Sequence, residues 1–149
     1  MAIRVLQASV ADVARIAPLF DAYRVFYKQP SDLERAASFV EARLSRAESV
    51  VFLASNAQGE DVGFVQLFPS FSSVSTQRLW ILNDLFVSPA ARRHGVAKAL
   101  MNRARDFAKT DGAKGLALET DADNVHGQAL YESLGYVKGT SFHYFLSLQ

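Results

Sequence analysis

Apolar and polar residues alternate along the 149-residue chain in two periods, and the points where one period gives way to the other divide it into elements. Ala2 to Gln7 alternates at period two and predicts a first strand. Ser9 then stands as a cap ahead of Val13, Ile16, Ala17 and Phe20, which recur at helical spacing. Tyr23, Phe26 and Tyr27 extend that stripe to Gln29-Pro30, where the proline ends the helix. Ser31 with Glu34 reads as a capping box for a second helix carried by Ala37, Val40 and Leu44. Val50 to Ser55 is β-branched and apolar, Asn56 to Glu60 is turn-forming, and Val62 to Phe68 alternates again, which predicts a hairpin. Serine-rich Phe71 to Thr76 predicts the next turn, before a long strand from Gln77 to Val87.

Beyond Val87 the period changes to 3.6, with Val96, Leu100, Ala104 and Phe107 on one stripe and a stop at Asp111-Gly112. Leu116 to Thr120 predicts a buried strand, so that strand, helix and strand form a parallel crossover. A further helix opens at Asn124, and Gly135 to Lys138 with Phe142 to Leu148 predicts a closing hairpin. The sum is an α/β fold in one domain over residues 1–149. It has about four helices on a mixed, mostly antiparallel, twisted sheet of six to seven strands. The crossover supplies a cleft between two parallel central strands.

Composition narrows the function. Sixteen basic and fifteen acidic residues give a formal net charge of +1, no electrostatic footprint for nucleic acid or an anionic membrane surface. The absence of cysteine removes disulfides, thiolate metal sites and cysteine nucleophiles, and fits a reducing compartment. No metal is expected. Met1 to Gln7 alternates rather than forming an apolar leader, so the expected location is the cytoplasm.

The chemistry concentrates after the long strand, where Pro89 is followed by Arg92-Arg93-His94-Gly95-Val96-Ala97-Lys98 at the mouth of a helix. A strand feeding a glycine-containing loop that opens a helix aims unpaired N–H groups and the positive helix end at one point, an anion site. The Walker lysine and the three glycines of a dinucleotide loop are both missing. The spacing Arg92-x-x-Gly95-x-Ala97 resembles the pyrophosphate loop of the GNAT superfamily of N-acetyltransferases. Asn124, Ala129-Leu130-Tyr131 and Gly135-Tyr136 resemble that family's second signature, in family order.

The resemblance implies acetyl-coenzyme A as co-substrate, held by main-chain groups of Leu85, Phe86 and Val87 along the pantetheine and by the amides of Arg93, His94, Gly95, Val96, Ala97 and Lys98 around the pyrophosphate. Arg92 and Arg93 add charge-assisted contacts. Asn124 bonds the pantetheine amide. Tyr131 stands where the family places the phenol beside the coenzyme sulfur, able to protonate the leaving thiolate.

Relatives carry a glutamate base on the central strand where this chain has Asn83, which cannot accept a proton but can orient a water. Asp84 is the nearest carboxylate, although simple alternation turns neighbours to opposite faces. Glu119 and Asp121 are carboxylates at the end of the next strand. The acceptor pocket draws on Tyr23, Tyr27, Asp32 and Phe71, and the aromatic cluster before an acidic segment suggests a cationic amine. The expected activity is acetyl transfer to a primary amine of polyamine, amino acid or protein lysine type by direct attack. The alternative is a non-catalytic acetyl-coenzyme A sensor. Phe142, Tyr144, Phe145 and Leu146 put apolar surface near the chain end and suggest a homodimer.

Overall fold

The computed structural model describes residues 2–149, and the chain divides into two compact units at Leu118/Glu119. The first unit is built on a five-stranded sheet in the order β1 to β5. Its strands are β1 (Arg4–Gln7), β2 (Val50–Ser55), β3 (Asp61–Ser72), β4 (Gln77–Val87) and β5 (Leu116–Ala117). The first three neighbour pairs are antiparallel and β4 with β5 is parallel. The predicted class therefore holds, with five strands in place of six to seven.

Local chemistry accounts for the elements and for the departures. Ser9 and Asp12 form a capping box around a short 3-10 turn, and α1 (Val13–Phe26) starts beyond it. The capping box read at Ser31 and Glu34 is replaced: Asp32 caps α2 (Leu33–Ser45) by accepting from Arg35 N–H at 3.0 Å. Ser31 is instead drawn to Asp21, donating its hydroxyl at 2.7 Å, while Asp32 N–H donates to the other Asp21 oxygen at 2.8 Å. These two bonds tie the connection between the helices to α1 and, the hydroxyl first, hold the Asp21 carboxyl below its ordinary range. The serine-rich stretch up to Ser72 belongs to β3, because Pro69 to Ser72 pairs with Gln77 to Trp80 and the turn shrinks to the residues between.

Helices cover both faces of this sheet. Val51, Leu53, Phe64 and Phe86 pack with Ile16, Leu19, Phe20, Ala36 and Val40 of α1 and α2 in one buried cluster. Against the other face lies α3 (Val96–Thr110), whose Phe107 meets Phe52 and Trp80 edge-on at 5.6 and 5.2 Å between centroids. The front of α3 sits close to the sheet at Gly63, where an added Cβ would come within 2.8 Å of the Phe86 carbonyl oxygen and 3.2 Å of Val96. Only glycine allows that approach.

The second unit, Glu119–Gln149, contains α4 (Val125–Ser133). Asn124 caps it by accepting from Gly127 N–H at 3.1 Å. Gly135, at φ 95°, ends it, with Tyr136 N–H bonded to Tyr131 C=O at 3.0 Å and Gly135 N–H to Glu132 C=O at 3.1 Å. The predicted closing hairpin is not formed: Gly135 to Lys138 and Phe142 to Leu148 carry no strand, since the unit provides no backbone ladder along them. The strand predicted to Thr120 likewise stops at Ala117. Among the described residues no helix is long and apolar enough to cross a membrane, and no three His, Asp or Glu side chains are placed to hold a metal.

Two outcomes follow. Gly63→Ala should lower the urea midpoint, by the equivalent of about 1–3 kcal/mol for overpacking, because the obstacle is backbone and the first turn of α3. Asp21, depressed in the folded state, contributes stability that is present above the ordinary carboxylate range and is lost as pH falls through the folded value. The midpoint gap between the wild type and Asp21→Ala should therefore be full at pH 7 and close below about pH 4, read by urea titration at both pH values.

Candidate active site

The site begins with one extra residue in β4. Gln66 of β3 stands opposite Asp84, and its neighbour Leu67 stands opposite Leu82, so Asn83 has no partner in the ladder and forms a bulge. In an even strand Leu82, Asp84 and Phe86 would share a face. The bulge divides them. Leu82 follows Leu67 to the α3 side, while Asp84 follows Gln66 to the side of Phe64 and Phe86, beneath α1 and α2. This single residue sets the face that Asp84 takes.

The same step changes which backbone groups β4 presents to its open side. Ser88 N–H bonds Val62 C=O of the β3 strand, so Phe86 also faces β3 and Leu85 and Val87 turn their N–H and C=O groups outward. Ahead of the bulge, Arg78 C=O and Trp80 N–H reach the β5 segment through Lys114 and Gly115. Pairing with β5 ends at Ile81 with Ala117. From Leu82 onward β4 is not paired by β5 on that side.

The loop continues from this edge. Pro89–Ala91 makes a 3-10 turn anchored by buried Ala91, Arg93 has φ 65°, and Gly95 has φ 81° as the N-cap of α3. Left-handed residues alternating with ordinary ones turn successive N–H groups inward as an anion nest. No side chain caps α3, so the amides at its first turn are available to a ligand. A Cβ built on Gly95 meets nothing within 4 Å. The concavity fits a pyrophosphate in kind: N–H donors, a positive helix end, and space above the glycine.

Arg92 has a second occupation. Its Nε donates to Val87 C=O at 3.0 Å, and its guanidinium lies 5.7 Å from the Phe26 ring centroid and 5.9 Å from that of Phe86. It thereby takes up one of the outward carbonyls of β4, leaving Leu85 N–H and C=O and Val87 N–H for a strand-like ligand. Arg93, His94 and Lys98 are exposed around the loop, with Val96 buried beneath and Ala97 half-buried.

Asp84 is 5 % exposed, and both its oxygens are bonded by neutral amides: Oδ2 accepts from Gln66 Nε2 at 2.6 Å and Oδ1 from Asn83 Nδ2 at 3.0 Å. Gln66 was not among the sequence candidates, although a lone amide inside the apolar run Val62 to Phe68 was a visible signal. On the same face Tyr23 packs with Phe64, Phe86 and Tyr27 at 5.8, 6.3 and 5.0 Å between centroids. Asp32 is engaged as the α2 cap, and Phe71 lies on Arg78, 5.1 Å away, at the far end of β3. The structure thus places Tyr23 and Asp84 on the same side of the sheet, with Tyr27 against Tyr23, and keeps Phe71 apart from them along the strand.

In the second unit Asn124 is both cap and donor, its Nδ2 bonding Thr120 Oγ1 at 2.8 Å. Tyr131 lies on the last turns of α4 with its ring 6.3 Å from that of Tyr136. Glu119 lies 3.9 Å from His143 Nδ1.

Comparison with known proteins agrees with this construction. The model of the acetyltransferase (GNAT) family matches residues 15–136. An uncharacterized N-acetyltransferase, YhfO, of Bacillus subtilis is 50 % identical over 143 residues, 95 % of each chain. A probable acetyltransferase of Haemophilus influenzae is 34 % identical over 133 residues, 89 % of each chain. The crystal structure of a probable acetyltransferase superposes with a TM-score of 0.92 at 40 % identity, covering 98 % of each chain. With its strand, loop and helix arranged as above, the chain belongs to the acetyltransferase (GNAT) family, acyltransferases that draw on acetyl-coenzyme A.

Proposed function

We propose that the protein transfers the acetyl group of acetyl-coenzyme A to a primary amine by direct attack, with Asp84 as the base. The observation that carries this reading is the bulge at Asn83, which turns a buried carboxylate to the face of the sheet that carries Phe86 while turning Leu85 and Val87 backbone groups to the open edge. One strand thereby serves the acceptor with a side chain and the coenzyme with its backbone.

In this reading the outward groups of Leu85 and Val87 bind the pantetheine as an added strand would, and the amides of Arg93 to Lys98 hold the pyrophosphate. The amine arrives as an ammonium, which has no lone pair, and Asp84 takes its proton through a water oriented by Asn83. The amine nitrogen then bonds to the thioester carbonyl carbon, and an outward N–H of β4 stabilises the developing oxyanion. The carbon–sulfur bond breaks, the thiolate takes a proton from Tyr131, a role assigned through the family resemblance of its motif, and the surplus proton of the new amide nitrogen passes through water to restore the phenol. Asn124 holds the pantetheine amide in the same assignment.

Tyr23 and Tyr27 form an aromatic wall suited to a cationic acceptor of polyamine, amino acid or lysine type. The reading takes residues 1–149 as one acetyltransferase domain. A cytoplasmic homodimer goes with it, on the cysteine-free composition and the apolar segment Phe142 to Leu148.

The test is a panel of amines with acetyl-coenzyme A, read as free thiol released and mass gained. At least one amine should exceed buffer. Coenzyme binding without turnover on any amine would favour the non-catalytic module. With the best amine, Asp84→Asn should lower kcat by about a hundredfold or more while leaving coenzyme affinity within about twofold, as removal of a general base does. Wild-type turnover in that variant would remove Asp84 as base. Tyr131→Phe should lower kcat by about ten- to a thousandfold with the fold intact, checked by thiol release and thermal denaturation, and turnover at the wild-type rate would remove Tyr131 from the chemistry.

A further inference from the structure

We propose that Gln66 is a positioning residue for this reaction, its side-chain amide holding the Asp84 carboxylate turned so that the other oxygen faces outward for the proton. The inference rests on the reading of Asp84 as the base.

Gln66 is 1 % exposed and is the one polar side chain among the largest fully buried ones of the described residues. It stands directly across the ladder from Asp84 and donates to Oδ2 at 2.6 Å, short for an amide donor. Its own Oε1 is buried and has no partner among the described residues. A buried amide with its carbonyl unmet is a poor packing choice, since an apolar chain of the same length would fill the space without that desolvation. The bond to Asp84 is what the polar group contributes here.

The two amides on Asp84 divide the carboxylate between them. Gln66 approaches Oδ2 from within the core, and Asn83, the exposed bulge residue, approaches Oδ1. Oδ1 is therefore the oxygen on the side of the exposed bulge. Both donors are neutral amides, so hydrogen bonds alone orient the group. Loss of Gln66 frees the carboxylate to rotate about its terminal torsion, and a base displaced by a fraction of an ångström loses rate more than binding.

The experiment measures kcat and KM for the best amine, coenzyme affinity by calorimetry and thermal stability for Gln66→Leu and Gln66→Met, each made alone and with Asp84→Asn. Alone, either variant should lower kcat by about ten- to a hundredfold with coenzyme affinity within about twofold. In the Asp84→Asn background the same change should have no further effect on the residual rate, because Gln66 acts only through Asp84. Equal losses in both backgrounds, or wild-type kcat in a folded single variant, would overturn the proposal. Wild-type turnover in Asp84→Asn itself would instead overturn the assignment of the base. Should the leucine variant fail to fold, the methionine variant, closer in shape to glutamine, carries the same comparison.

Discussion

β4 carries one residue more than β3 can match, and the consequences of that mismatch reach every functional group of the first unit. Antiparallel strands alternate both side-chain direction and hydrogen-bonding direction with period two, so an inserted residue inverts both at once downstream. Asn83 is that residue. Beyond it, Asp84 and Phe86 face α1 and α2, and the N–H and C=O groups of Leu85 and Val87 face the edge that β5 leaves open. A regular strand would have placed Asp84 against α3 and directed its own backbone groups and those of Phe86 outward.

The coenzyme loop depends on a second constraint, the close seating of α3 on the sheet. Gly63 lets the first turn of the helix approach β3, with Val96 and Leu100 fully buried against it. That seating fixes where the uncapped amides of α3 point, while the left-handed Arg93 and Gly95 bring the preceding N–H groups round to the same side. Arg92 connects the two constraints, since it bonds the end of β4 and lies over aromatic rings of both β4 and α1. The loop before α3 and the face of the sheet beneath α1 are therefore joined through one guanidinium.

Much of this was legible in the residues alone. The stripes of α1, α2 and α3 follow the 3.6 period, the hairpin of β2 and β3 follows the period-two runs, and the loop was recognised from Arg92-x-x-Gly95-x-Ala97. Asn124 as cap and Gly135-Tyr136 as the stop of α4 were also local signals, because a cap and a left-handed terminus involve residues only a few positions apart. Ser31 misled because its hydroxyl can accept from the N–H groups of a helix end or donate to a carboxylate, and the distant Asp21 took it in place of the helix end.

What the sequence by itself determined was the type and order of the elements up to α4 and the family. The bulge, the face occupied by Asp84, the role open to Gln66 and the number of strands were decided by tertiary structure. The reason is that strand register belongs to a pair of segments: Asn83 is a bulge only because Leu67 and Gln66 take Leu82 and Asp84 as partners. For the same reason Phe142 to Leu148, strand-like in pattern, is no strand without a ladder, whereas Val96 to Thr110 closes its hydrogen bonds within itself and could be read directly.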